Sequence, residues 1–142
     1  MQNLDKIVQL STNDPAKRLV LATKYLVQIN FTFDLSVADG SFAGSSRFCV
    51  RKDQIKEFSD SLLDMSEPGH TARLDDNDSD GFIEISQKDS LGHITVKAQA
   101  GGSHENHVSI TFDTDQTTLP EFIKAFNQLL TYEDSERPVA ST

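Results

Sequence analysis

Cysteine is nearly absent. Cys49 is the single one in 142 residues, so no internal disulfide can form and stability must come from a packed core. A chain of this length can build that core as one domain, without a disulfide or metal staple. Cys49 lies between Phe48 and Val50 on a strand-like stretch, with no base positioned for it, and reads as a small packing residue rather than a nucleophile. Long apolar runs are missing too: the greasiest stretch is broken by Gln28, Asn30, Thr32 and Asp34. The N-terminus has no basic start followed by an apolar block. Secretion and membrane spanning are therefore disfavoured, and the expectation is a soluble, cytoplasmic protein.

Signatures of chemistry are also lacking. There is no repeat, phosphate-cradling glycine loop, paired-cysteine motif or Ser/His/Asp order. Gly101-Gly102 reads as a hairpin turn. Of the four histidines, His104 and His107 are three apart in a glycine-rich loop, a poor metal geometry without other ligands; His70 and His93 stand alone. Neither an enzyme nor a cofactor is expected.

Positive charge is scarce where it matters. The formal net charge is −9, and it is uneven. Residues 53–89 hold three Lys/Arg against eleven Asp/Glu, whereas residues 1–52 hold seven against four. Such a field repels nucleic acid and anionic lipid and favours basic partners. It also serves solubility alone.

What is present is pattern. Tyr25, Val27, Ile29, Phe31, Phe33, Leu35 and Val37 are apolar at every second position, a period of two over 13 residues that predicts one long strand with a core face and a water face. Ile7, Val8 and Leu10 suggest a short edge strand, and Leu19 to Leu21 the start of another. Ala38-Asp39-Gly40-Ser41 is turn chemistry, and Phe42 to Val50 alternates again, completing a hairpin. Asp53 opens a first helix as N-cap, with Ile55, Phe58, Leu62, Leu63 and Met65 on its buried stripe and Lys56, Glu57, Asp60 and Asp64 facing water. Short strands follow at Ala72–Leu74, Phe82–Ile85, Ile94–Ala100 and Val108–Phe112. Thr118-Leu119-Pro120-Glu121 then fits a capping box before a helix buried through Phe122, Ile123, Phe126, Leu129 and Leu130. The expected fold is α+β: a mostly antiparallel sheet of about six strands, two helices on one face, order ββαββββα. Residues 1–132 form the expected domain, and 133–142 a fraying tail.

The sharpest local motif is Asp76-Asn77-Asp78-Ser79-Asp80-Gly81. Alternating carboxylates and a glycine match the opening of a calcium loop, but the twelfth position is Gln87 rather than glutamate and the flanks read as strands. A polar β-turn outweighs a calcium site, so no metal is assigned.

The order of elements resembles that of the WapI-type immunity proteins of bacterial polymorphic toxin systems. The resemblance runs over about residues 19–131: the alternating strand, the helix from Gln54-Ile55-Lys56-Glu57-Phe58 through Leu62-Leu63, the Gly92 to Val96 strand, and Ser109-Ile110-Thr111-Phe112 leading through Asp115 to Leu119 into a last helix. It implies a small cytoplasmic protein that binds and neutralises a toxin domain, often a nuclease. The charge is compatible, because nucleases need cationic surfaces that an acidic protein can occupy. Glu57, Asp60, Asp64, Asp76, Asp78 and Asp80 are the candidate contacts with a cognate, basic toxin. A calcium- or ligand-binding module using the Asp76–Gly81 turn is one alternative; a self-associating interaction protein is another.

Overall fold

The computed structural model describes residues 1–65 and 68–134. Strands β1 (Gln2–Asn3), β2 (Ile7–Ser11), β3 (Lys17–Val27), β4 (Asn30–Asp39) and β5 (Phe42–Arg51) form one antiparallel sheet. In it β3, β4 and β5 are successive neighbours, while β1 and β2 share the other edge of β3. Helix α1 (Lys52–Leu63) leads to a second antiparallel sheet, the meander β6 (Thr71–Asp75), β7 (Phe82–Gln87), β8 (His93–Ala100) and β9 (Val108–Asp115). A short 3₁₀ turn over Gln116–Thr118 then runs into α2 (Leu119–Leu129).

The α+β class and the antiparallel pairing are as expected, and from β4 onward the order is ββαββββα. The strand number differs. Among the described residues, nine strands in two sheets replace about six in one, because the N-terminal residues supply three more. The two sheets pack on each other, with β4 and β5 against β8 and β9; α1 lies on β6 and α2 on β2. Alternation in a sequence says which face of a strand is buried. It does not say whether a helix or another sheet buries it.

The long alternating segment is not one strand. Val27 pairs with Asn30 across a two-residue turn at Gln28–Ile29, and Gln28 takes a left-handed φ of 57°. Paired residues share a face, so Leu26 and Phe31 point the same way and the odd-numbered set changes sides at the turn. Val27 and Ile29 are consequently 39 % and 51 % exposed, whereas Phe31, Phe33 and Leu35 are fully buried. A bulge between Thr23 and Tyr25 shifts the register again and returns Leu21 and Leu19 to the core opposite Leu35 and Val37.

Helix starts also differ in detail. The N-cap of α1 is Arg51, not Asp53, and its N–H donates to Gln54 Oε1 at 2.8 Å. At α2, Thr118 is the N-cap, but its hydroxyl donates back to the Asp115 carbonyl at 2.8 Å instead of capping, so the Thr118–Glu121 box is not made. The Asp115 carboxylate accepts the Thr117 N–H and starts the 3₁₀ turn three residues before α2.

The helices meet through three buried rings. Phe58 stands edge-on to Phe122 and Phe126, with centroids 6.5 and 5.5 Å away, and Phe122 and Phe126 are 4.9 Å apart. All three interplanar angles lie between 83° and 85°, the arrangement that sets a positive ring edge on a negative face. Beside them the buried Ser59 hydroxyl donates to Asn127 Oδ1 at 2.7 Å. Of the expected tail, Asp134 accepts the Gln28 N–H at 3.1 Å and pairs with the N-terminal amine at 2.8 Å; residues 135–142 lie outside the described residues.

Two stability changes follow. Phe126→Ala lowers the unfolding free energy by about 3–5 kcal/mol, read from urea midpoints, because it removes a ring that two others cannot close around. Gln28→Gly raises stability by roughly 0.5–1 kcal/mol on the same assay, since a left-handed non-glycine residue costs about 1–2 kcal/mol and glycine returns part of that as lost chain entropy.

Candidate partner-binding face

Helix α1 separates its two faces cleanly. Ile55, Phe58, Ser59 and Leu62 are buried. Asp53, Glu57, Asp60 and Asp64 recur at spacings of four, three and four, which stacks them along the opposite, exposed side. Arg51 pairs with Asp53 at 2.9 Å and Lys56 with Asp60 at 3.0 Å. The Arg51 guanidinium holds the Asp53 carboxyl below the usual carboxylate range. Both pairs are solvent-exposed, so each is held weakly and an incoming cation can replace it at little cost.

The acidic turn abuts the first turn of this helix. Gln54 Nε2 donates to the Asp75 carbonyl at 3.2 Å and to Asn77 Oδ1 at 3.1 Å. Within the turn the carboxylates divide their work. Asp76 is only 7 % exposed; Oδ1 accepts the N–H groups of Cys49 (2.9 Å) and Asp78 (3.0 Å), and Oδ2 accepts the Ser79 hydroxyl (2.6 Å). Asp80 Oδ1 accepts the Ser103 N–H at 2.6 Å, and the Ser103 hydroxyl and N–H hold its carboxyl below the usual range. That ties the turn to the β8–β9 loop. Gly81 is required by a close approach rather than a left-handed backbone: a Cβ there would stand 3.0 Å from the Gln99 carbonyl oxygen.

The calcium-loop pattern thus resolves into a β-turn with Asp76 as its internal brace. The donor atoms of Asp76 and Asp78 do lie within 4.8 Å of one another and of Cys49 Sγ, but Asp80 is directed elsewhere. Burial, reinforced by the Asp78 carboxylate that its thiol faces, pushes Cys49 up to about 11. The histidines are dispersed: His70 sits 3.1 Å from the Ser61 carbonyl, His93 Nδ1 2.8 Å from Asp89 Oδ2, and His107 Nδ1 3.1 Å from the Glu105 carbonyl. No group of metal-type donors among the described residues includes one. Nor is any described helix long and apolar enough to cross a membrane.

The immunity protein WapI-like family matches residues 27–132, from the end of β3 to just past α2. The chain belongs to that family. No curated protein matches it.

In this WapI-like protein the six candidate contacts fall into two groups. Glu57, Asp60 and Asp64 share the outer stripe of α1; Asp78 and Asp80 are exposed on the adjoining turn, while Asp76 is inside it. Asp53 joins the stripe although it was expected as a cap. Leu63, expected in the buried stripe, is 66 % exposed. Its spacing, eight residues after Ile55 and four after Ser59, fits the core face, so helical period alone does not separate it from Leu62.

Alkylation of Cys49 in the folded protein, followed by mass spectrometry across pH, is expected to stay slow through neutral pH and to rise only as pH nears 11. Asp78→Asn removes the carboxylate that disfavours the thiolate and moves that rise to lower pH.

Proposed function

We propose that this immunity-family protein neutralises a cognate toxin domain by covering a cationic surface with the outer face of α1. Asp53, Glu57, Asp60 and Asp64 form the contact, with Asp78 and Asp80 extending it on the adjoining turn; Asp76 supports the turn from within. The observation that carries the reading is the stacking of four carboxylates on the one face of α1 that the core does not use.

A nuclease is the toxin class that this charge fits best, since its own ligand is a phosphate backbone and a rigid acidic helix can stand in for it. Inhibition then needs no catalysis and no cofactor from this chain. Charge supplies fast encounter, which matters for an inhibitor that must reach its toxin before the toxin reaches its substrate.

The test uses the polypeptide encoded next to this chain, taken as the candidate toxin. Reversing Asp60 and Asp64 together to lysine lowers the association rate about tenfold at low salt and flattens its dependence on ionic strength. The double variant also loses rescue in a toxicity assay. Association unchanged by the reversal means that the toxin docks elsewhere.

A further inference from the structure

The acidic stripe ends at an apolar groove. Where α1 finishes and α2 begins, Leu62, Leu63, Met65, Leu119, Pro120 and Ile123 enclose an open volume of about 340 Å³, with Gln116 at one side. Leu63 stands on its rim, and Asp60 and Asp64 flank Leu63 on the helix surface, three residues before and one after. On the side of Gln116, the Gly92 carbonyl accepts the Gln116 N–H at 2.7 Å, and its neighbour Leu91 is 80 % exposed. Leu63 and Leu91 are two of the three most exposed large apolar side chains among the described residues. Apolar residues scattered singly over a surface need no explanation, but an exposed leucine on the rim of an apolar groove does.

We infer that this groove receives a large apolar side chain of the toxin, carried next to a Lys or Arg that meets Asp60 and Asp64. The inference rests on the partner-binding reading above and adds what holds the complex together. Rim charges set how fast two proteins meet; a desolvated apolar anchor at the centre sets how slowly they part. The acidic stripe by itself is solvent-exposed and partly paired with Lys56 and Arg51, so it supplies speed and little lifetime. The groove supplies the missing part. Its volume is at the small end of the range for ligand pockets, which suits one aromatic or long aliphatic side chain rather than a whole helix. The carboxylates on its rim select a basic neighbour for that side chain and reject an acidic one.

The two parts separate kinetically. Leu63→Ala changes an exposed residue and leaves the fold intact, which an unchanged thermal midpoint verifies. In binding to the polypeptide encoded next door, the candidate toxin, it raises the dissociation rate about tenfold, with association and its salt dependence nearly unchanged. Leu91→Ala acts in the same direction and more weakly. The Asp60/Asp64 reversal shows the opposite profile, slow association with little change in dissociation. If Leu63→Ala dissociates like the wild type while the charge reversal still slows association, the groove is no anchor and the acidic-face reading stands. If the reversal has no effect but Leu63→Ala shortens the complex, the apolar contact survives and its acidic selection of the neighbour falls. Wild-type protein that does not bind the toxin domain removes both.

Discussion

One buried carboxylate joins the two sheets. Strand β5 is an edge of the first sheet, and the turn after β6 lies at an edge of the second. Asp76 bridges them by accepting the Cys49 N–H, while the Asn77 N–H donates to the Cys49 carbonyl at 2.9 Å. An edge strand left with free backbone groups invites pairing with other chains, and this contact occupies the Cys49 pair. A carboxylate buried without donors would cost several kcal/mol; with three donors its burial becomes a fastening rather than a fault. Helix α1 is the segment between these two edges. Its first turn is held to the same place by Gln54, so the brace fixes where the helix starts and which way it runs.

Rotation of α1 about its own axis is fixed at a different point. Phe58 is seated between two rings of α2, and Ser59 is hydrogen-bonded to Asn127. Turning the helix would withdraw Phe58 and strand a buried hydroxyl. The outward direction of Asp53, Glu57, Asp60 and Asp64 is therefore a consequence of core packing. Electrostatic presentation and hydrophobic stability are coupled through the 3.6-residue period, and neither can be altered far without the other. Among the described residues, the same junction of helices lines the groove by Leu63, with Leu62 and Leu63 on one side and Leu119, Pro120 and Ile123 on the other. Acidic stripe and apolar groove together have the two components that a fast and durable protein complex needs.

Much of this architecture could be read residue by residue. The strands from β4 onward and both helices follow from alternation and helical spacing, because burial on one face imposes those periods. The hairpin at Gly40 was legible from Asp39-Gly40 chemistry. The hairpin at Gln28–Ile29 was not: neither residue is a turn former, and the change of parity it introduces is masked because an apolar residue happens to sit at odd positions on both sides. Leu26, the one apolar residue among the polar set, was the trace of that change. The acidic residues of the turn could be counted in advance, but not divided, since Asp76 and Asp78 have the same chemistry two positions apart.

The sequence by itself determined the secondary structure of most of the chain, the side of α1 that meets water and the sign of its field, since these are properties of local period and composition. Tertiary structure alone decided that a second sheet covers the first, that Asp76 is spent inside the fold while Asp78 is not, and that Leu63 lies beside Leu119 and Ile123. The reason is distance along the chain. Contacts between residues tens of positions apart are selected by how whole faces fit, and that fit is written in no single window of residues.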